Sequence, residues 1–228
     1  MKDLIVLSGG MDSTTVLAIA VHDALVRRPT RQVEAISFVY GQRHAAEVLN
    51  AEAVAQHYGI KHEVLYVSLG KQGVLMDHDA EMPHISYEEI KESEGVSPTY
   101  VPFRNGTFLS VATSHALEIG ADTIWAGMHA EDARGWAYPD CTPEFIGAMQ
   151  NAIYVGTYHK VRLVVPFQYA SKADIVRAGM RVNAPYRLTM TCYEGKDPAC
   201  GKCPTCVSRI AAFDEAGYGD PIAYEMGA

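Results

Sequence analysis

The sequence lacks any long hydrophobic run. None of its 228 residues belongs to a stretch near the ~20 apolar residues that cross a bilayer. The N-terminal apolar run Leu4–Leu7 ends at Ser8-Gly9-Gly10 and is far shorter than the hydrophobic region of a signal peptide. We therefore expect no membrane segment and no signal peptide, and we expect the protein to lie in the cytoplasm.

A surplus of positive charge is also missing. The chain has 27 acidic against 19 basic side chains, a formal net charge of −8. Proteins that coat nucleic acid without sequence preference neutralise many phosphates with Lys and Arg, so this class is disfavoured, whereas a small anionic ligand held by a few local donors is not. With 48% apolar and 20% charged residues, the chain is also too hydrophobic to be disordered throughout.

Internal repeats and low-complexity tracts are absent, and most of the chain alternates short β-rich runs with helical patterns. Residues 68–102 are polar and lack periodicity. The alternation predicts an α/β fold, a parallel sheet with helices on both faces, whose ligands lie beyond the carboxyl ends of the strands. We expect an α/β domain over residues 1–185 and a small C-terminal lobe over residues 186–228, too short to bury a core alone. The predicted strands are Leu4–Leu7, Val33–Tyr40, Glu63–Val67, Thr123–Met128 and Val161–Phe167, and the predicted helices are Ser13–Val26, Ala45–Tyr58, Thr107–Ile119, 143–155 and Ser171–Val182.

A glycine-rich segment, SGGMDSTT (Ser8–Thr15), stands between the first strand and the first helix. Glycines let backbone N–H groups approach an anion, and a helix N-terminus adds partial positive charge. A plain turn capped by Ser13 is the alternative. The segment has no Walker lysine and is too short for that framework. It carries Asp12 instead, an acid that tolerates phosphate only with a divalent cation between them. This pattern resembles the PP-loop of ATP pyrophosphatases, SGGxDS.

Four of the five cysteines crowd near the C-terminus, and Cys141 stands alone. Clustered thiols in a reducing compartment are more often metal ligands than disulfide partners. Four sulfurs make a closed tetrahedral Zn²⁺ shell with a structural role, although four cysteines also hold iron–sulfur clusters, and free buried cysteines are the third alternative. The predicted metal ligands are Cys192, Cys200, Cys203 and Cys206.

Taken together, several segments resemble one PP-loop family, the 7-cyano-7-deazaguanine synthases of queuosine precursor biosynthesis. They occur in the family's order over residues 8–209. The resemblance implies the adenine nucleotide alpha hydrolase-like fold with a zinc-binding lobe, and it is the reason to prefer zinc over an iron–sulfur cluster. The segments are SGGMDSTT, YGQRH (Tyr40–His44), VPFRN (Val101–Asn105), YPDC (Tyr138–Cys141) and TCYEG…CGKCPTC (Thr191–Cys206).

The resemblance also implies a reaction. Members of the family are carbon–nitrogen ligases that convert 7-carboxy-7-deazaguanine and ammonia to the nitrile with ATP and Mg²⁺, and they often form homodimers. The implied ATP-binding residues are Leu7, Ser8, Gly9, Gly10, Met11, Asp12, Ser13, Thr14 and Thr15. The implied catalytic residues are Asp12, Arg43, Arg104 and Asp140, and the implied substrate-binding residues are Arg104, Asn105, Tyr138 and Asp140.

Several of these side chains also have ordinary structural alternatives. Arg43 and Arg104 suit phosphate or carboxylate because guanidinium is a fork, but surface ion pairs are the alternative. Asp140 suits the N–H pair of a guanine-like edge, or a helix cap. Further candidates are Tyr138 or Phe103 as a stacking ring, His44 and His129 as proton carriers, Lys172 and Asp174 near phosphate or as a solvated helix end, and Cys141 as a nucleophile or a small buried residue.

Three departures from the family pattern fall in the expected substrate half. Phe103 replaces a usual glycine, Thr142 replaces a usual arginine, and the segment 127–138 is longer than usual. They motivate one alternative, a variant that stops at 7-amido-7-deazaguanine. PP-loop enzymes that modify tRNA directly, or that transfer the deazaguanine to a macromolecule, are the others. The expected partners are small molecules without direct nucleic acid binding.

Overall fold

The computed structural model describes residues 1–41, 46–70, 74–77, 79, 81–84, 86, 89, 92 and 94–225. Arg43 and His44 lie outside the described residues, so their predicted roles stay predictions. The strands are β1 (Lys2–Val6), β2 (Gln32–Val39), β3 (Lys61–Tyr66), β4 (Thr123–Trp125) and β5 (Arg162–Val164). The α-helices are α1 (Met11–Val26), α2 (Ala46–His57), α3 (Arg104–Ile119), α4 (Ala130–Ala133), α5 (Pro143–Gly156), α6 (Lys172–Arg181) and α7 (Pro204–Ala216).

The five strands form one parallel sheet in the order β3-β2-β1-β4-β5. Successive side chains of β1 point to opposite faces. Leu4 lies in a core cluster with residues of α3 and α5, whereas Ile5 lies in a second cluster with residues of α1, α2 and α6. The predicted α/β fold with helices on both faces is therefore confirmed. The chain leaves β1 toward β2 on one side and β4 lies on the other, so a crevice opens at their carboxyl ends.

Local sequence signals explain where several helices begin. The Thr142 hydroxyl accepts a hydrogen bond from the Phe145 N–H at 3.2 Å ahead of Pro143, as the sequence predicts. Ser171 and Asp174 form a capping box at the start of α6, which assigns Asp174 to a helix end. Among the residues that the structure describes, no helix is long and apolar enough to cross a membrane.

The C-terminal segment packs against α1 and α6. A third core cluster joins Met11 and Val176 to Tyr186, Ala212 and Phe213 of that segment. Helix α7, which the sequence pattern did not predict, supplies the last two of these. The predicted division of the chain at residue 185 stays a prediction.

Candidate active site

A cavity of about 580 Å³ opens at the carboxyl ends of β1, β2 and β4. The glycine-rich loop forms its floor, and residues that follow β4 form one side. The C-terminal segment contributes a further wall through Met190, Thr191, Cys192, Tyr193, Thr205 and Arg209. The segments predicted to hold ATP, substrate and metal thus border one space.

The loop itself is organised for an anion. The Ser8 N–H donates to the Ser13 hydroxyl at 3.1 Å, the two hydroxyls lie 3.0 Å apart, and the Gly10 N–H donates to the Ser8 hydroxyl at 3.3 Å. Helix α1 starts after Gly10 with no side-chain cap. Its first N–H groups are therefore available to an anion at the positive end of the helix, which is the arrangement of a phosphate site.

Two glycines allow the loop to lie between its neighbours. Gly9 has φ +80°, and a Cβ there would stand 2.3 Å from the Glu47 carbonyl oxygen at the start of α2. A Cβ at Gly127, just after β4, would stand 3.0 Å from the Ser13 nitrogen. Sequence reasoning did not single out Gly127, because the close approach joins segments more than a hundred residues apart.

Asp12 lies in a cluster of charges at the base of the cavity. Its side chain is 26% exposed, and Oδ1 has no hydrogen-bond partner among the described residues. Burial raises the pKa of Asp12, but the charges of Lys172 and His129 outweigh it and lower that pKa. Burial likewise opposes a charged Lys172, while Asp12, Asp132 and Glu131 raise its pKa. Asp12 is therefore a carboxylate and Lys172 an ammonium.

His129 is fully buried beside this cluster. Its Nε2 lies 3.2 Å from Asp132 Oδ2 and 3.7 Å from Asp12 Oδ2, and neither ring nitrogen has a hydrogen-bond partner of good geometry among the described residues. Burial lowers the pKa of His129, yet the two carboxylates raise it overall. The sequence offered His129 only as one of two candidate histidines; the fold brings it to the loop.

Arg104 approaches the cavity from the first turn of α3. Its Nη1 donates to the Tyr40 hydroxyl at 3.1 Å, and no carboxylate of a described residue lies within 4.0 Å of its guanidinium. Burial lowers the pKa of Arg104, but Tyr40 and Tyr193 raise it overall. A half-buried guanidinium with most of its donors unused is a site for a carboxylate or a phosphate.

The predicted substrate residues near Tyr138 divide between the cavity and the scaffold. Tyr138 and Asn105 line the cavity, and the Tyr138 hydroxyl bonds to that of Thr99. Asp140 is not among the lining residues; its Oδ2 accepts from the Asn105 N–H at 2.8 Å at the start of α3. Burial raises the pKa of Asp140 and also that of the neighbouring thiol, Cys141.

The two substituted positions also lie outside the lining. Phe103 is 56% exposed and packs edge-to-face on Phe145, with ring centroids 5.8 Å apart. Thr142 caps α5 and donates to the Pro139 carbonyl at 2.9 Å. Neither residue belongs to the lining that the described part of the chain forms, so these two departures change the scaffold rather than the cavity wall.

The four C-terminal cysteines converge. Their sulfur atoms all lie within 4.8 Å of one another, and all four side chains are buried. Zn–S bonds of about 2.3 Å place the sulfurs of one tetrahedral shell roughly 3.8 Å apart. Backbone N–H groups support the sulfurs, with Cys203 N donating to Cys200 Sγ at 3.3 Å and Cys200 N to Cys192 Sγ at 3.5 Å. The donor set therefore fits a single thiophilic metal ion.

Comparisons with known proteins agree with this site. Residues 2–217 match the family described as queuosine biosynthesis protein QueC. A 7-cyano-7-deazaguanine synthase of Thermoplasma volcanium is 41% identical over 98% of this chain and 90% of its own length. One from Oceanobacillus iheyensis is 42% identical over 98% of both chains.

A solved structure shares the fold. The U34-tRNA thiolase NcsA of Methanococcus maripaludis, with its [4Fe-4S] cluster, aligns over 95% of this chain and 67% of its own, with a TM-score of 0.50 and 15% identity. At that identity the likeness concerns the fold alone. The full-length match of sequence is what assigns the protein: the chain belongs to the QueC family of queuosine biosynthesis proteins.

Proposed function

We propose that this protein is an ATP-dependent carbon–nitrogen ligase that converts 7-carboxy-7-deazaguanine and ammonia to 7-cyano-7-deazaguanine. One observation carries the proposal within this family. The phosphate loop with Asp12 and the guanidinium of Arg104 face the same cavity. A nucleotide phosphate and a substrate carboxylate can therefore meet in one site.

The chemistry requires activation twice. A carboxylate repels nucleophiles and has no leaving group. Attack of its oxygen on the α-phosphate of ATP releases pyrophosphate and gives an acyl adenylate, and ammonia then displaces AMP to form the amide. Adenylation of the amide oxygen and loss of a second AMP, with two protons leaving nitrogen, gives the nitrile. Both steps activate an oxygen on the same carbon, so one cavity serves both.

The loop residues 7–15 would hold the ATP phosphates. Backbone N–H groups at the start of α1 and the hydroxyls of Ser8 and Ser13 supply the donors. Asp12 would bind Mg²⁺, which shares the charge of the departing pyrophosphate. Lys172, charged and half-buried in the cavity, would neutralise the same group.

The substrate would lie on the opposite wall. Arg104 suits its carboxylate, because the guanidinium has no acidic partner among described residues, and Asn105 and Tyr138 line the adjoining space. Asp140 would then act by holding the first turn of α3, which carries Arg104 and Asn105, rather than by touching substrate. Arg43 remains a predicted catalytic residue.

We propose zinc for the four-cysteine site, since the sulfur spacing suits one tetrahedral ion. The net charge of −8 supports a small-molecule substrate over tRNA. The positions of Phe103 and Thr142 outside the cavity lining remove the reason to expect a reaction that stops at the amide. We further propose that the protein works in the cytoplasm, where thiols stay reduced, and as a homodimer like many of its relatives.

Exchange of labelled pyrophosphate into ATP tests the proposal. We expect exchange that requires 7-carboxy-7-deazaguanine but not ammonia, because adenylation precedes amination. Asp12→Ala should reduce exchange by about 100-fold or more, since it removes the cation ligand at the developing charge.

The matched control for this test is Asp23→Ala. Asp23 lies at the other end of α1 and pairs only with Arg27 and Arg28 at the surface, so exchange should persist. Near-normal exchange in Asp12→Ala would contradict the role of that carboxylate. Exchange that is independent of the deazaguanine acid would contradict the substrate assignment.

A further inference from the structure

The segment from residue 186 to residue 192, here called the strap, connects the phosphate loop to the metal site. It begins in the 3₁₀ turn Tyr186–Leu188 that follows α6, and it ends at Cys192, the first predicted metal ligand. Only two residues separate Cys192 from Met190, the residue that touches the loop. Contacts at both ends of the strap are specific.

At the loop end, the strap holds the main chain of the glycine turn. The Met190 N–H donates to the Gly9 carbonyl oxygen at 2.9 Å. Asn50 of α2, which packs on the other side of Gly9, donates from Nδ2 to the Leu188 carbonyl oxygen at 2.8 Å. Because the Gly9 turn is bonded on one side and packed on the other, its position follows that of residues 188–190.

A second contact reaches the helix that the loop opens. The Tyr186 hydroxyl lies 2.8 Å from the Thr15 hydroxyl and 3.1 Å from the Ile175 carbonyl oxygen, and all of these groups are buried. The ring fits against α6 only because residue 179 is glycine; a Cβ there would stand 1.9 Å from the Tyr186 hydroxyl oxygen. Tyr186 therefore locks the first turn of α1 to the strap.

At the metal end, the strap is tied to helix α7, which carries the last cysteine. The Thr205 hydroxyl donates to the Thr191 carbonyl oxygen at 2.6 Å and lies 3.4 Å from Cys203 Sγ. Arg209 is fully buried and donates to the Thr189 hydroxyl at 2.6 Å and to the Tyr186 carbonyl oxygen at 3.3 Å. Asp220 neutralises it, with Oδ2 2.7 Å from the guanidinium Nε.

These contacts have a mechanical consequence. Four thiolates gathered without an ion repel one another, so an ion is needed to hold Cys192 against the other three. We propose that the metal ion, through the strap, positions the glycine-rich loop, so that metal occupancy sets the affinity for the phosphates of ATP. Tyr186 and Thr189 are positioning residues for that loop. The proposal rests on the proposed function only in naming ATP as the phosphate ligand.

The coupling can be measured first without any substrate. Hydrogen exchange followed by mass spectrometry compares the metal-loaded protein with protein treated with a thiophilic chelator. We expect faster exchange in residues 186–192 and also in residues 8–15, with no change in α5 and β5, which touch neither segment. Unchanged exchange in residues 8–15 of a protein that has lost its metal and remains folded would overturn the proposal.

Two variants of the metal-loaded protein decide the matter even where chelation unfolds the whole chain. Tyr186→Phe removes the hydroxyl that reaches Thr15, and Thr189→Val removes a bond from Arg209; neither residue lines the cavity. With Mg²⁺ present, each variant should bind ATP about three- to tenfold more weakly, the value of one buried hydrogen bond. AMP, which lacks the β- and γ-phosphates, should bind within about twofold of the parent protein.

The matched control is Thr113→Val in α3, which removes a hydroxyl bonded to the Leu109 carbonyl oxygen at 2.6 Å, away from the strap. It should leave both affinities unchanged. Equal losses for ATP and AMP in the strap variants, or no loss for ATP, would overturn the coupling. If the parent protein binds no ATP, the proposed function fails, whereas the hydrogen-exchange result still decides the coupling.

Discussion

Phe103 starts α3 in a left-handed backbone conformation, with φ 56° and ψ 24°. This conformation costs an L-residue roughly 1–2 kcal/mol and costs glycine nothing. The position is the one where relatives usually carry glycine, so the structure explains that preference. A Cβ at Gly106 would stand 2.4 Å from the Phe103 ring, which shows that the ring lies directly over the helix backbone.

We expect Phe103→Gly to be more stable than Phe103→Ala by about 1 kcal/mol, the reverse of their order inside a helix. Both variants lose the ring, so the comparison isolates the backbone conformation. Urea unfolding measures the difference. An alanine variant as stable as the glycine variant would show that residue 103 is not held in the left-handed region.

At the level of single residues, the sequence predicts what neighbours in the chain determine. The SGGxDS loop, the cysteine spacing and the Thr142-Pro143 helix start are all local signals. It could not place Gly127 and Lys172 at the loop, since only the folded sheet brings them there. Nor could it decide whether the Asp140 carboxylate faces a ligand or caps α3.

At the level of elements, α6 and the strap meet at Gly179. A Cβ at this position would stand 1.9 Å from the Tyr186 hydroxyl oxygen and 3.1 Å from the Thr15 hydroxyl oxygen. We therefore expect Gly179→Ala to destabilise the protein by roughly 1–3 kcal/mol, because overpacking outweighs the helix propensity of alanine. Denaturant unfolding provides the measurement.

Gly147 of α5 provides the matched comparison. It is exposed, and a Cβ there would meet no atom within 4 Å. Gly147→Ala should stabilise the protein by about 0.5–1 kcal/mol through helix propensity alone. If both substitutions changed stability in the same direction, the close packing of Tyr186 on α6 would be contradicted.

The elements were largely predictable from periodicity. All five predicted strands and all five predicted helices are present, with ends that differ by up to four residues. The strand order was not predictable, because it depends on which strands pair rather than on any one strand. Helix α7 was missed, since cysteines and prolines at its start obscure the apolar face that packs on α6.

For the whole molecule, the four-cysteine site joins the C-terminal segment to the cavity wall. We expect metal analysis of the purified protein to find about one zinc per chain, because four thiolates fill one tetrahedral shell. Removal of the ion should lower the melting temperature, since the folded chain binds the metal more tightly than the unfolded chain does. Iron with visible absorbance, or an unchanged melting temperature after chelation, would contradict this assignment.

The central claim is that one cavity activates the same carbon twice. The most direct test is mass spectrometry of the product formed from 7-carboxy-7-deazaguanine, ammonia and Mg-ATP, with the nucleotides measured in the same reaction. The account predicts the nitrile, with two AMP released for each molecule formed. Accumulation of the amide with one AMP, or a nucleotide product other than AMP, would contradict it.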